Sequence, residues 1–154
     1  MNKIIFLDVD GVLNTRSTIR RTSDGFPFVD TRKVLRLREI VERTGAKIVL
    51  SSSWKWGATK GATVWEQLAY CELREEFMRV RCPLWIDITP CLPQTKRWKE
   101  INAWLSLHDV DRFVIIDDIW EELLPFNDHL IVTTMKDGLT KERAELAIKM
   151  LGEE

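Results

Sequence analysis

The feature that most constrains this chain is the run Lys3-Ile4-Ile5-Phe6-Leu7, which ends abruptly in Asp8-Val9-Asp10-Gly11. An apolar run without polar alternation suits a central strand buried on both faces of a parallel sheet. In open parallel sheets, ligands bind beyond the carboxyl ends of the strands, where the strand order reverses. Asp8 and Asp10 fall at such an end. Gly11 lets the backbone turn sharply away from the strand, so that both carboxylates face outward.

The remaining chain alternates strand and helix patterns from end to end. Residues 14–29 are polar and irregular, with Gly25 and Pro27, and read as a flap. Asp30 or Thr31 caps a helix carrying Val34, Leu37, Ile40 and Val41 on one face, and Gly45 ends it. Lys47–Leu50 is a second buried strand running into Ser51-Ser52-Ser53. Trp65, Leu68, Ala69, Leu73 and Phe77 recur at helical spacing, and a short strand follows around residues 84–88. A loop over residues 90–93 leads to a helix with Ile101, Trp104 and Leu105. Phe113–Ile116 is a fourth strand ending at Asp117-Asp118, and residues 130–133 form a fifth. Thr140 caps a last helix that buries Ala144, Ala147, Ile148 and Leu151. The expected fold is α/β, a three-layer Rossmann-like sandwich around a five-stranded, mostly parallel sheet.

At 154 residues, with 45% hydrophobic and 31% charged content, the chain reads as one soluble domain over residues 1–154. A net charge of -1 gives no global attraction to nucleic acid or membrane, so an anionic partner needs a local basic patch. Cys71, Cys82 and Cys91 lack CxxC spacing and read as reduced thiols of a cytoplasmic protein rather than a disulfide framework or zinc site. No apolar run is long enough to span a bilayer, and Asp8 and Asp10 interrupt the only N-terminal stretch that a signal peptide would need. Trp65, Trp98 and Trp104 fall in helical patterns and are expected in the core, while His108 and His129 are expected to be surface or structural.

Carboxylates follow directly on two buried strands, Asp8 and Asp10 on the first and Asp117-Asp118 on the fourth. Brought together at one sheet edge they repel, and a hard cation with oxygen ligands relieves that repulsion. Ser51 and Ser52 add hydroxyl and amide donors. Lys96 or Arg97, at the start of a helix, adds a cation where free N–H groups also point at an anion. These are the parts that position and neutralise a transferring phosphoryl group.

On these residues the sequence resembles the phosphatase branch of the haloacid dehalogenase superfamily. Leu7-Asp8-Val9-Asp10-Gly11-Val12-Leu13 is similar to its first motif, Leu50-Ser51 to its second, Lys96 to its third and Ile116-Asp117-Asp118 to its fourth. Ser51-Ser52-Ser53-Trp54, Arg97-Trp98-Lys99-Glu100-Ile101 with Trp104-Leu105, and Gly138-Leu139-Thr140 further resemble the small domains of RNA-repair proteins and of stand-alone phage or bacterial proteins. The resemblance implies that Asp8 attacks phosphorus, and that Asp10 protonates the leaving oxygen and later deprotonates water. It implies Mg²⁺ held by Asp8, the Asp10 carbonyl and Asp118, with Asp117 orienting the cation or a metal-bound water. Ser51, with Ser52 as the alternative, would bind a phosphate oxygen. Lys96 is favoured over Arg97 as the cation because lysine is usual there in the superfamily. An aspartate two residues after the nucleophile favours a phosphatase or phosphotransferase, since the superfamily's transport ATPases keep threonine there and its dehalogenases lack the acid.

Neither residues 14–29 nor residues 54–95 leave room for a separate cap domain, so the site is expected to be open. Arg16, Arg20 and Arg21 in the flap are candidates to contact further phosphates, and Trp54 with Trp56 to stack on a base. The expected partner is a phosphorylated substrate, a nucleotide or an RNA or DNA end. The alternatives are a phosphotransferase and a non-catalytic, receiver-like module. A receiver would place its phosphoacceptor after the third strand, where this chain has Thr89-Pro90.

Overall fold

The computed structural model describes residues 1–154. Its sheet has five strands in the order β3-β2-β1-β4-β5, namely β1 Lys3–Leu7, β2 Lys47–Leu50, β3 Asp87–Ile88, β4 Arg112–Asp117 and β5 Leu130–Val132. Every pairing is parallel, so the sheet is more uniform than the mostly parallel one expected. β1 lies at the centre and all five of its residues are buried: Ile4–Leu7 are apolar, and the Lys3 ammonium donates to the Thr44 and Gly152 carbonyls. The chain moves outward from β1 to β2 and β3, then returns to the other side of β1 for β4 and β5. The strand order therefore reverses at β1 and β4, and their carboxyl ends carry Asp8 and Asp117.

Helices cover both faces of the sheet. On one side, α1 (Thr31–Thr44) and α4 (Lys141–Leu151) pack against one another and against the larger core cluster. α1 turns Val34, Leu37 and Ile40 inward, each burial stabilising the fold by about 1.5–3 kcal/mol. α4 buries Ala144, Ala147, Ile148 and Leu151, and the Thr140 hydroxyl caps it by accepting from the Arg143 N–H. On the other side, α3 (Arg97–Leu105) supplies Ile101 and Trp104 to a second cluster with Phe6, Val49 and Ile115. No helix is long and apolar enough to cross a membrane.

α2 (Val64–Arg79) departs from expectation. Its last turns bury Leu73 and Phe77, but Trp65 and Leu68 are 52% and 39% exposed. The helix meets the larger core cluster through Leu73 and Phe77, with Tyr70 at its edge, so its first turns extend past the apolar layer and leave Trp65 uncovered. β3 is also shorter than residues 84–88, because Trp85 turns inward to meet Tyr70 and Phe77 before pairing with β2 begins. Trp104 is buried as expected, while Trp98 is only half-buried, at the edge of the second cluster. His108 stacks on Trp104 and His129 on Phe113, with centroids 3.6 and 3.9 Å apart, which accounts for both histidines structurally.

The flap is tied to α2 through Glu76. That carboxylate is 3% exposed and accepts from Arg20, Arg79 and the Thr31 hydroxyl. Burial pushes the carboxyl up, but the hydrogen bonds from Arg79, Arg20 and Thr31 together outweigh it and hold the group down at about 2. A carboxyl depressed in the fold stabilises above the ordinary carboxylate range, and that contribution is lost as pH falls toward 2. Glu76→Gln keeps the shape but removes the charge, and should cost about 2 kcal/mol, seen in denaturant unfolding at neutral pH. The difference from wild type should shrink as the pH is lowered below 4.

Candidate active site

The site assembles from strand ends. Asp8 follows β1, and its N–H donates to the Ile116 carbonyl at 3.0 Å, locking it beside β4. Asp117 ends β4, and its carbonyl accepts from the Thr133 N–H at 3.0 Å. Carboxylate oxygens of Asp8, Asp117 and Asp118 lie within 4.8 Å of one another. Asp8 and Asp117 are buried, while Asp118 is half-buried and leans over Gly11. Gly11 has φ +76°, and a Cβ there would run into the Asp118 carboxylate as well as strain the backbone. Glycine is thus needed for the turn and for the room above it.

Packing these acids together has an electrostatic cost. Burial, then the neighbouring Asp117, push the Asp8 carboxyl well above its ordinary range, while Arg97 pulls it partly back. Asp118 is raised for the same first two reasons. A dicarboxylate edge of hard oxygen donors, short of positive charge, fits magnesium in its donor chemistry. Asp117 has less to offer a metal directly, since one oxygen accepts from Arg97 at 2.7 Å and the other from the Ile119 N–H at 2.9 Å.

The cation beside the acids is Arg97. Its Nη1 lies 3.3 Å from Asp8 Oδ1 and 2.7 Å from Asp117 Oδ2. Lys96, favoured from sequence, stands at the N-cap of α3 and is exposed. A helix turns about 100° per residue, so one position decides which side chain enters the site. The N-cap falls on Lys96, and the first helical residue is the one that faces the strand ends.

Ser51 and Ser52 separate cleanly. Ser51 is 1% exposed, its N–H donates to the Leu7 carbonyl, and its hydroxyl is buried without a hydrogen-bond partner. An orphaned buried hydroxyl next to Asp8 is a group awaiting an anion or water. Ser52 instead spends its hydroxyl on capping the following turn, Ser53–Ala58, through the Trp54 N–H.

Asp10 is exposed and held from both sides. Its Oδ1 accepts from the Asn14 amide at 2.9 Å and its Oδ2 from the Trp54 indole N–H at 3.2 Å. Asn14, fully buried, also accepts from the Gly11 N–H, so it joins the turn to the acid. Its only sequence signal was its place four residues after Asp10. Trp54 is not the free stacking surface expected, because its ring lies tilted on Phe28 and its N–H is committed to Asp10. Trp56, half exposed, keeps that possibility.

The basic flap reads differently as well. Arg20 is consumed by Glu76 and lies over the Phe28 ring, which removes it from substrate contact. Arg16 and Arg21 are exposed. Lys55 was not singled out from sequence, yet it is buried and paired with Glu100 at 3.0 Å, joining the Ser53–Ala58 turn to α3 near Arg97. Asp87, the acid in β3, accepts from the Trp104 indole, and the following Thr89 accepts from Lys55. Neither stands free as a receiver's phosphoacceptor would.

A search of curated proteins finds no match to this chain. The model of a protein family described as the HAD domain in Swiss Army Knife RNA repair proteins matches residues 4–144, which takes in all five strands but for Lys3, and all the acids above. With the acids, the half-buried Arg97 and the unpartnered Ser51 hydroxyl at one edge of an all-parallel sheet, the chain belongs to this family of haloacid dehalogenase-like domains.

Proposed function

We propose that this protein is a magnesium-dependent phosphatase that works through an aspartyl-phosphate on Asp8 and acts on nucleotide or polynucleotide-end phosphates. The observation that carries it is the Arg97 contact to Asp8 at a strand end whose paired neighbour, β2, ends in the orphaned Ser51 hydroxyl, with Asp10 two residues on. The family's description, a domain of RNA-repair proteins, supports the nucleic-acid side of the reading.

An Asp8 oxygen attacks phosphorus while the bond to the leaving oxygen breaks, and Asp10 delivers a proton to that oxygen. Water then attacks the phosphorus of the aspartyl-phosphate, Asp10 takes its proton, and the bond to Asp8 breaks to release inorganic phosphate. Arg97 offsets charge on Asp8 and on the phosphoryl oxygens, and the Ser51 hydroxyl donates to one of those oxygens. Asp117 is a positioning residue that fixes the Arg97 guanidinium. Asp8 and Asp118, with the Asp10 carbonyl, would hold Mg²⁺, whose bound charge screens the acids and the phosphoryl group as they approach one another.

The test is phosphate release with and without magnesium from mononucleotides, 3′- and 5′-phosphorylated oligonucleotides and phosphopeptides. Magnesium-dependent release from the nucleotides or oligonucleotide ends is expected. Release from phosphopeptides alone, or transfer to an acceptor without net release, would overturn the reading.

A further inference from the structure

Beside Asp10 lies an open cleft of about 540 Å³ between the flap, the Ser53–Ala58 turn and the start of α2. Phe26, Trp56 and Trp65 line it and are 65%, 50% and 52% exposed, so three large rings face solvent around one hollow. Its charged lining is Asp10, Asp24 and Glu66, with no lysine, arginine or histidine. The neighbouring hollow of about 340 Å³ on the other side of Ser53 holds Arg97, with Lys55 paired to Glu100 and with Glu122. The two hollows therefore differ in one respect: the second holds Arg97, the cation against Asp8, while the cleft beside Asp10 carries rings and carboxylates with no cation.

We propose that this cleft binds the base of the nucleotide whose phosphate stands against Asp8. This rests on the reading that Asp10 protonates the leaving oxygen, because the group it protonates must then extend into the cleft that Asp10 lines. Exposed indole and phenyl faces stack on planar heterocycles of any sequence. Asp24 and Glu66 each spend one oxygen on a local hydrogen bond, from the Thr22 hydroxyl and the Thr63 N–H, and as carboxylates they accept further N–H donors from a ring amine. The same acids repel a second phosphate, so the occupant is an uncharged ring and not a polyphosphate. Trp54 and Trp56 are the rings expected from sequence to stack on a base; Trp56 keeps that role, and Trp65 and Phe26 join it in place of Trp54.

The experiment compares kcat/KM for adenosine 5′-monophosphate with that for ribose 5-phosphate, which lacks the base. In Trp65→Ala and in Phe26→Ala the ratio should fall about tenfold, and thermal unfolding of each variant should match wild type, as both side chains lie on the surface. An unchanged ratio in both variants would overturn the proposal. A second readout needs no catalysis. Adenosine titrated into wild type and into Asp8→Asn should shift the indole N–H signals of Trp56 and Trp65 in heteronuclear NMR and leave that of buried Trp104 in place. No shift would overturn the base site. A shift without phosphate release from any ester would keep the base site and defeat the phosphatase reading, whereas equal turnover of the two esters would do the reverse.

Discussion

Asp8→Asn should reduce phosphate release to background, a loss of at least about 10⁴-fold, because an amide oxygen at this position is too weak a nucleophile to form the covalent intermediate. The substitution keeps volume and shape at a site that is 4% exposed, so the fold has no steric reason to fail. Electrostatics works in the variant's favour. A carboxyl raised in the fold contributes its full stability below the ordinary carboxylate range and loses it as pH rises through the raised value. Without metal, burial and the neighbouring Asp117 and Asp118 disfavour a charge on Asp8, and the neutral amide avoids that cost. Thermal unfolding without magnesium should show the variant at or above wild type. Added magnesium should raise the wild-type Tm and raise the variant's by less. Measurable turnover in Asp8→Asn, in a protein with wild-type Tm, would defeat the nucleophile assignment.

The sheet was legible because its strands carry the clearest pattern a sequence offers, apolar runs with no polar alternation. Lys3–Leu7 and Lys47–Leu50 have the same bounds in both readings, and so does the Thr140 cap of the last helix. Gly11 was legible for the same local reason, since a sharp turn after a buried strand asks for positive φ. What local pattern cannot supply is which side of an element meets the core. Trp65, Leu68 and Ala69 have helical spacing, yet they stand on turns that run past the sheet, and only the tertiary arrangement tells an apolar stripe that packs from one that lines a cleft.

The same limit explains Lys96 and Arg97. Two adjacent cations at a helix start are equivalent on paper, and the choice depends on where the N-cap falls, a matter of one residue. Buried polar networks are also invisible to spacing. Arg20 with Glu76, and Lys55 with Glu100, join residues 56 and 45 positions apart, and both pairs remove a cation from the set a substrate can reach. Ser51 and Ser52 are likewise equivalent by spacing, and only the fold leaves the Ser51 hydroxyl orphaned while Ser52 accepts from the Trp54 N–H.

Asp10→Asn should separate the two chemical steps. Loss of a general acid–base group costs about 10²–10⁴-fold, so turnover of a nucleotide, whose alkoxide leaves poorly, should fall by about 10³-fold. An aryl phosphate with an acidic phenol needs little protonation to form the aspartyl-phosphate, so its first step should survive. Its second step should not, because water still needs a base to accept its proton. The variant should therefore release a burst of phenol close to one equivalent and then stall, with phosphate trapped on Asp8 and detectable by mass spectrometry after acid quench. The placement of Asp10 makes this a clean experiment. Asn14 and Trp54 hold the carboxylate by one oxygen each, and the side chain is exposed, so the amide keeps one of the two hydrogen bonds and disturbs no packing. Equal losses on both ester classes without a burst would show that Asp10 only shapes the turn. A burst followed by phosphate transfer to added alcohol, but not to water, would make the protein a phosphotransferase on the same intermediate.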